Sequence, residues 1–442
     1  MSIASQIMRP DRLHRFAEVW RTEGPGRAVS AALRHSRRIA LHEGRTGMPT
    51  EALPSSETTH PGHAFTPLWR DMARADAFHM PSAPATLRRS RSVAMIGDLN
   101  LPQCRKYRVE QLDELFAAAG VSYRFSHYED IPRCLDVLQD ATHLFLYRIP
   151  AGDLATMYAY EARRLKLPVL YDIDDPLFSV SAYETYGNMT ALPEALKSSF
   201  IAQAPGYLAV MNMADAVSVS TPGLVAHARE YTARPVWLRR NFCDEATLSA
   251  GRDAREAGRS RQDGFRVAFA SGSQGHEVDF SIIADDIVRF LDHDPTRRLM
   301  ILGRFDTALL PDGLADRMIC KPFTNYAGYL KWLAAADCAV MPLADDSFNR
   351  AKSAVRVIDA SAVGVASLVS DVGDLAPPVR DGVTGHVMAA GESWFDKLEA
   401  LARDRPACHA MGKAALEVMQ SDWSARADMP VVDPELLRWI RD

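Results

Sequence analysis

Side chains able to bind an anion are concentrated in residues 345–359, where Asn349, Lys352 and Ser353 lie close together. A strand-like apolar run precedes this stretch and a helix-like amphipathic run follows it, which predicts a turn between a strand and a helix. Free backbone N–H groups and the helix dipole favour negative charge at such a turn. Asp359, about two helical turns later, could accept hydrogen bonds from a ribose. The pattern indicates a diphosphate-and-ribose site, with a solvated charged loop as the alternative.

Three carboxylates, those of Asp172, Asp174 and Asp175, form a second candidate group at the end of a predicted strand. Open α/β sheets bind their ligands beside the carboxyl ends of the strands. Asp172 and Asp174 form a DxD pattern that could hold a divalent metal on a diphosphate, although this pattern alone is weak. Asp174 or Asp175 could instead orient or deprotonate an acceptor hydroxyl. In a third interpretation, the carboxylates only cap the turn before Pro176.

A loop that begins at Gly97, after another predicted strand, carries several basic residues and reaches Tyr107 and Arg108. This loop is also expected at the ligand edge of its sheet, where the basic residues could meet a phosphate or an anionic acceptor. A solvated helix start is the alternative. The chain has no GxGxxG pattern, so a dinucleotide cofactor is not expected. No other cofactor is predicted.

Small residues follow the first predicted strand in the second half of the chain, namely Ser271, Gly272 and Ser273. Small side chains allow backbone N–H groups to approach a phosphate closely. His276 could donate a hydrogen bond to a phosphate oxygen, although a lone histidine at this position also serves as a helix cap. Later strand ends supply Arg304 as a second cation and Phe323 as a residue beside a nucleobase.

Strand-like and helix-like periods alternate along most of the chain, which predicts two α/β domains with parallel sheets. A chain of 442 residues is also too long for one ordinary core. The predicted parts are a basic helical extension with a linker at residues 1–90, an α/β domain at 91–243, a linker at 244–264, a second α/β domain at 265–412, and C-terminal helices at 413–442 that return toward the first domain.

The composition, with 47% apolar and 24% charged residues, is that of a soluble globular protein. The net charge of −5 disfavours bulk binding of nucleic acid. Six cysteines without a CxxC pair indicate a reducing compartment, and no apolar run approaches the roughly 18 residues of a membrane span, so we expect a cytoplasmic protein. Arginines crowd the amphipathic N-terminal arm, which could bind the anionic inner-membrane surface peripherally or dock on the protein itself.

An ordered set of these residues resembles the second domain of family 4-like glycosyltransferases of the group 1 type. The set consists of Ser271, Gly272, Ser273, His276, Asp279, Phe280, Asn349, Lys352, Ser353, Arg356 and Asp359. The resemblance covers roughly residues 265–415. Residues 171–175 and 107–108 resemble the N-terminal domain of the same group more loosely.

The resemblance implies a GT-B fold, in which two Rossmann-like α/β domains face each other across a cleft. It implies a nucleotide-sugar donor on the second domain, held by the set above together with Arg304 and Phe323. It also implies a glycan or lipid-linked acceptor on the first domain, beside Gly97, Tyr107 and Arg108. The reaction would be a hexosyl transfer with retention at the anomeric carbon and without an essential metal. Bacterial surface polysaccharide biosynthesis is the process that the resemblance suggests.

Cleavage of a sugar–phosphate bond builds negative charge on the departing diphosphate, and preorganised cations and N–H groups stabilise this charge. We expect Lys352, the Ser353 amide and His276 to supply them. Asp174 or Asp175 would act on the acceptor hydroxyl.

The chain departs from the group in two places. Many such enzymes hold the diphosphate with an arginine and a lysine early in the second domain, but residues 271–280 contain no lysine, so Lys352 together with Arg304 would have to supply that charge. The other departure is in a carboxylate motif. Many such enzymes carry a Glu-x7-Glu pair, whereas this chain has Ala351 and Asp359 at the two positions. Two alternatives therefore stay open. One is a catalytically inactive GT-B protein that binds nucleotide or glycan as a partner subunit, and the other is a nucleotide-sugar epimerase.

Overall fold

The computed structural model of the chain describes residues 90–257, 264–272, 276–305, 314–425 and 431–442. These residues contain two parallel sheets of six strands each, which confirms the predicted α/β class with two Rossmann-like units. The predicted N-terminal helices lie outside the described residues, as does Ser273 among the predicted site residues.

The first sheet has the strand order β2-β1-β3-β4-β5-β6. Its strands are β1 Ser92–Gly97, β2 Ser122–His127, β3 His143–Tyr147, β4 Val169–Ile173, β5 Ala216–Val219 and β6 Val236–Leu238. Every residue of β3 and β4 is buried, as expected for central strands of a parallel sheet with helices on both faces. The strand order changes direction between β1 and β3, and open sheets bind ligands at such switch points.

The second sheet has the order β12-β11-β10-β7-β8-β9. Its strands are β7 Arg266–Gly272, β8 Arg298–Gly303, β9 Met318–Lys321, β10 Cys338–Met341, β11 Ala366–Ser370 and β12 Gly385–Met388. Read from β9, this is the doubly wound order of dinucleotide-binding folds, with its switch point between β7 and β10.

Helices connect the strands in both units. Those of the first unit are α1 Pro102–Cys104, the π-helix Arg105–Glu110, α2 Gln111–Ala118, α3 Ile131–Gln139, α4 Asp153–Leu165, α5 Val180–Thr185, the 3₁₀ helix Gly187–Ala191, α6 Glu194–Met213, α7 Pro222–Arg229 and α8 Glu245–Glu256. The later ones are α9 His276–Ser281, α10 Ala284–Asp292, the 3₁₀ helix Ala315–Arg317, α11 Tyr326–Leu333, the 3₁₀ helix Asn349–Ala351, α12 Val355–Ala362, α13 Trp394–Arg403, α14 Arg405–Asp422 and α15 Pro434–Arg441. Within the described residues, no helix combines the length and apolar character needed to cross a membrane.

Residues 244–264, expected to be a linker, contain a helix. The Asp244 carboxylate accepts a hydrogen bond from the Thr247 N–H at 2.7 Å and so caps the start of α8. One side of α8 is buried against α12, where a Cβ on Gly251 would lie 2.4 Å from the Ala362 carbonyl oxygen. Only a few small residues of α8 are buried, and the polar composition of the segment therefore gave no sign of a helix.

The C-terminal helix α15 lies against the first unit. The Asp433 N–H donates at 2.8 Å to the carbonyl of Leu238, the last residue of β6. The Trp439 ring lies 4.9 Å from the His143 ring and 5.6 Å from the Trp237 ring. The chain therefore ends in contact with the amino-terminal edge of the first sheet, opposite its ligand edge.

Candidate active site

The stretch predicted as an anion-binding turn follows β10, at the switch point of the second sheet, but it is not a solvated loop. Phe348 and Ala351 are buried in the hydrophobic core of the first unit. The Phe348 ring stacks on the Tyr186 ring at a centroid distance of 4.2 Å, and the Thr221 hydroxyl donates to the Ala351 carbonyl at 3.0 Å. The stretch therefore joins the ligand edges of the two sheets.

Lys352 is the cation at this junction. Its Nζ lies 3.3 Å from Asp175 Oδ1, just beyond β4, and 4.7 Å from the centre of the Phe348 ring. Burial alone would lower the pKa of Lys352, but the Asp175 carboxylate holds it above its ordinary value. Burial conversely opposes ionisation of Asp175, yet Lys352 and Arg148 hold the pKa of Asp175 below its ordinary value. Both groups are therefore charged at neutral pH.

Asp174 faces a different cation, which the sequence analysis missed. Arg148 directly follows β3, and its Nη1 donates to Asp174 Oδ1 at 3.3 Å. Arg148 has a φ of 51°, in the left-handed region that residues other than glycine rarely occupy. An arginine directly after an apolar strand could have been noticed in the sequence, but its backbone conformation could not.

Asp172 lies in the interior, away from the ligand edge. Its Oδ2 accepts from Arg108 Nη2 at 2.6 Å, and its Oδ1 accepts from Arg239 Nη2 at 2.8 Å. All three side chains are completely buried. Burial opposes ionisation, but the two guanidinium groups hold the pKa of Asp172 below its ordinary value. The DxD interpretation therefore loses its first carboxylate, because internal arginines already neutralise it.

Arg108 was predicted to face the acceptor, and the structure places it in this buried triad instead. Two neighbouring basic residues also have partners. Lys106 Nζ donates to the Thr247 hydroxyl at 2.6 Å and lies 3.3 Å from Asp244 Oδ1, and this pair is largely buried. Arg105 Nε lies 2.7 Å from Glu110 Oε1 at the surface, where the two side chains are 37% and 45% exposed. Lys106 and Arg108 are therefore engaged inside the protein, and Arg105 is not.

Tyr107 and Asp359 contact each other directly. The Tyr107 hydroxyl donates to Asp359 Oδ1, and both side chains are buried, with exposures of 3% and 4%. The structure therefore pairs the carboxylate predicted to bind ribose with a residue predicted for the acceptor side.

A polar network surrounds the fully buried Asp279 at the start of the second unit. Its carboxylate accepts from Asn188 Nδ2 at 2.6 Å and from Asn349 Nδ2 at 3.3 Å. His276 Nδ1 lies 3.1 Å from Asp279 Oδ2, and Arg356 Nη2 lies 3.2 Å from His276 Nε2. Asn188, from the first unit, is a contact that the sequence analysis missed.

His276 is neutral in this network, because burial and the nearby Arg356 lower the pKa of His276 to about 4. Arg356 Nη2 also lies 3.0 Å from Nδ1, but the ionised Asp279 carboxylate can only accept, so Nδ1 carries the proton toward Asp279 and Nε2 is the nitrogen that can accept from Arg356. Neither ring nitrogen is left for a phosphate oxygen, and His276 positions Arg356 instead. Arg356 Nη1 is buried without a hydrogen-bond partner among the described residues, so it remains available as a donor.

Of the other predicted residues in the second unit, two serines are hydrogen-bonded within the protein, and an arginine and a phenylalanine are exposed. Ser353 lies within the junction, where its hydroxyl accepts from Asn241 Nδ2 at 3.0 Å. Ser271, just before the end of β7 at Gly272, is fully buried, and its hydroxyl donates to the Arg304 carbonyl. The Arg304 side chain is exposed. Phe323, two residues after β9, is 37% exposed.

Gly97 ends β1 where the first sheet changes direction. A Cβ at this position would lie 2.7 Å from the Tyr147 Cβ, so the close approach of β1 and β3 requires glycine. Among the described residues, no group of three or more His, Cys, Asp or Glu side chains is arranged to hold a metal ion.

Comparisons with known proteins agree with this architecture. No protein-family model matches the chain. A D-inositol 3-phosphate glycosyltransferase of Nocardia farcinica is 31% identical over 119 residues, which are 26% of this chain and 25% of the relative. A protein of the same name from Paenarthrobacter aurescens is 30% identical over 183 residues, which are 38% of this chain and 43% of the relative. The chain therefore spans less than half the length of these curated relatives.

Among solved structures, a sucrose-phosphate synthase from Thermosynechococcus elongatus aligns with a TM-score of 0.51 and 16% identity. The alignment covers 76% of this chain and 96% of that one, and at this identity it concerns the fold alone. The chain has the GT-B fold. The resemblance to family 4-like glycosyltransferases of the group 1 type is confirmed by the sequence matches.

Proposed function

We propose that the protein is a glycosyltransferase that moves a hexosyl group from a nucleotide-sugar donor to a hydroxyl of a glycan or lipid-linked acceptor. The donor would lie at the switch point of the second sheet, and the acceptor at the ligand edge of the first. The observation that carries this proposal is the 3.3 Å contact between Lys352 Nζ and Asp175 Oδ1. It joins a cation at one ligand edge to a carboxylate at the other, so a sugar bound here would touch both.

Stabilisation of the departing diphosphate is the role we assign to the second unit. Lys352 is charged, and the unpartnered Arg356 Nη1 adds a second cationic donor. Such preorganised donors stabilise charge that develops in the transition state. Because Lys352 is already bound to Asp175, the donor diphosphate would share this cation with the carboxylate or replace it.

Binding and orientation of the acceptor is the role we assign to Asp174 and Asp175. Both carboxylates directly follow β4, where the ligand edge of the first sheet begins. Two of the basic residues that could have favoured a phosphate, Lys106 and Arg108, have buried partners, and Arg105 pairs with Glu110 at the surface. A hydroxyl acceptor therefore suits this edge better than an anionic group at the reaction centre.

The finer features of the proposal come from the group that the chain resembles. They are retention at the anomeric carbon, independence from metal, and a role in bacterial surface polysaccharide biosynthesis. A cytoplasmic location, with the inner membrane face as a peripheral contact, is proposed instead from the cysteine pattern and the arginine-rich N-terminal arm. The arginine pairs of Asp172 support metal independence, since they remove one ligand from the DxD pattern. Undiminished transfer in the presence of EDTA would test this point.

The decisive experiment begins with a thermal-shift screen of nucleotides and nucleotide sugars, followed by transfer assays with the donors that bind. We expect Lys352→Ala to lower turnover by roughly 10²–10³-fold, the usual effect of losing one preorganised donor. Lys352→Arg should retain part of the activity because it keeps the charge. Lys413→Ala, which removes an exposed lysine on α14, is the matched control. A folded Lys352→Ala protein with unchanged turnover would contradict the assignment.

A second candidate is a catalytically inactive protein that binds nucleotide or glycan as a partner subunit. The hydrogen bond from Tyr107 to Asp359 favours it, because it engages the carboxylate predicted to hold the ribose. Nucleotide binding without donor hydrolysis or transfer, by wild-type protein and by Tyr107→Phe alike, would support this alternative. Product formation by purified wild-type protein would exclude it.

A further inference from the structure

Arg148 has an unusual backbone conformation at the ligand edge of the first sheet. Only Arg148 and Lys166 have a positive φ among the described residues other than glycine, with values of 51° and 56°. Lys166 ends helix α4, where a left-handed residue is common. Arg148 ends a strand, and its N–H donates to the Asp172 carbonyl at 3.0 Å. Left-handed conformations of this kind persist where the surrounding structure imposes them, and they cluster at functional sites.

This conformation is accompanied by a largely buried guanidinium beside the acidic pair. The side chain of Arg148 is 15% exposed, and its Nη1 lies 3.3 Å from Asp174 Oδ1 and 3.3 Å from Cys104 Sγ. Burial alone would lower the pKa of Arg148, but Asp174 holds it above its ordinary value. The ionisable groups that interact with Arg148 or the acidic pair are Cys104, Tyr147, Tyr171, Tyr183, Tyr186, Tyr207, His276 and Lys352.

We propose that Arg148 is a positioning residue that separates the two adjacent carboxylates, holding Asp174 in place while Lys352 holds Asp175. Two neighbouring carboxylates repel each other, and one would be protonated without a cation for each. A cation facing each carboxylate offsets this repulsion, and the two carboxylates are held in different directions. This inference rests on the proposed function, in which Asp174 orients the acceptor hydroxyl.

The test compares Arg148→Gly with Arg148→Lys and with Lys166→Gly in a transfer assay. Arg148→Gly removes the guanidinium and also relieves the backbone. Lys166→Gly relieves the same conformation at an exposed position and serves as the matched control. We expect Arg148→Gly to lower kcat/KM for the acceptor by about 10²-fold, as displacement of a reacting group does. Donor binding should be unchanged, and added guanidinium should restore part of the activity. Arg148→Lys should fall between wild type and Arg148→Gly.

A second measurement does not depend on activity. The melting temperatures of wild type and Arg148→Gly are compared between pH 3 and pH 7. Arg148 contributes to holding the pKa of Asp175 below its ordinary value of 3.8. The stabilisation that Arg148 contributes through Asp175 is therefore full above that value and is lost as the pH falls through the lowered pKa of Asp175. The difference between the two proteins should be largest at pH 7 and shrink in acid, whereas Lys166→Gly should show no such trend.

The outcomes are distinguishable. Equal transfer by Arg148→Gly and Lys166→Gly would overturn the positioning role, as would a loss of donor binding equal to the loss of transfer. If wild type transfers no sugar, the proposed function fails, and the melting curves still decide on the ion pair. A melting difference that is the same at pH 3 and pH 7 would overturn the pairing of Arg148 with the acidic pair. If Arg148→Gly does not fold, the same comparisons are made with Arg148→Lys.

Discussion

The buried triad around Asp172 allows a sharp test, because it separates a structural carboxylate from a functional one two residues away. In Asp172→Asn the side chain keeps its shape but loses its charge, and Arg108 and Arg239 remain in the interior. Each guanidinium forms two hydrogen bonds to Asp172, at 3.0 and 2.6 Å from Arg108 and at 3.1 and 2.8 Å from Arg239. Since all three side chains are 0% exposed, the variant buries two cations without a counter-charge.

Removal of one partner from a buried ion pair typically costs about 3–5 kcal/mol, a large part of the roughly 5–15 kcal/mol that stabilises a typical protein. We therefore expect a marked decrease in the urea midpoint of the first unit. The effect should shrink in acid, because the pKa of Asp172 lies below its ordinary value and its stabilisation is lost as the pH falls through that pKa. Replacing Asp172, Arg108 and Arg239 together by apolar residues of similar size should recover much of the stability.

The control is Asp174→Asn, whose side chain makes one contact at 3.3 Å near the ligand edge. It should lose only about 1.5–3 kcal/mol, the value of one hydrogen bond to a charged group, but most of the transfer activity. We therefore expect the larger loss of stability in the unfolding assay for Asp172→Asn, and the loss of most transfer activity for Asp174→Asn. An Asp172→Asn protein of wild-type stability whose transfer now depends on added Mg²⁺ or Mn²⁺ would refute this reasoning and restore the DxD interpretation.

Three further predictions concern the junction between the two sheets. Tyr107→Phe removes the competitor for Asp359, so nucleotide affinity measured by calorimetry should rise by up to about 10-fold; weaker binding would show that the hydroxyl supports the site. The pKa of His276 is about 4, so this side chain does not titrate between pH 5 and pH 8. Any inflection of kcat/KM in that range should therefore also be present in His276→Asn. Phe348→Ala should lower stability by about 3–5 kcal/mol in thermal unfolding, since this ring is 4% exposed. A loss below about 1 kcal/mol would mean that the ring does not anchor the stretch.

The fold was largely predictable, because apolar strands and amphipathic helices alternate with clear periods along residues 91–412. The gathering of Asp175, Lys352 and Asn349 at strand ends was predictable for the same reason, since parallel strands place their carboxyl ends at one edge. Pairings between distant residues were not. Arg108 meets Asp172 across 64 residues, and Lys106 meets Asp244 across 138. A basic residue in sequence looks the same whether its partner is a ligand or an internal carboxylate.

The departure from the Glu-x7-Glu pattern also has a physical explanation in the fold. Ala351 is 1% exposed within the core of the first unit, and its carbonyl accepts the Thr221 hydroxyl. The backbone there is so close to α7 that a Cβ on Gly223 would lie 2.2 Å from the Arg350 carbonyl oxygen. A glutamate at position 351 would bury a charge in this contact, at a cost that only a specific partner could offset. The negative charge at the junction comes instead from Asp175, supplied by the opposite sheet and paired with Lys352. The carboxylate at this junction thus belongs to Asp175 of the first unit and not to a glutamate at position 351. The alanine alone therefore does not argue for an inactive protein.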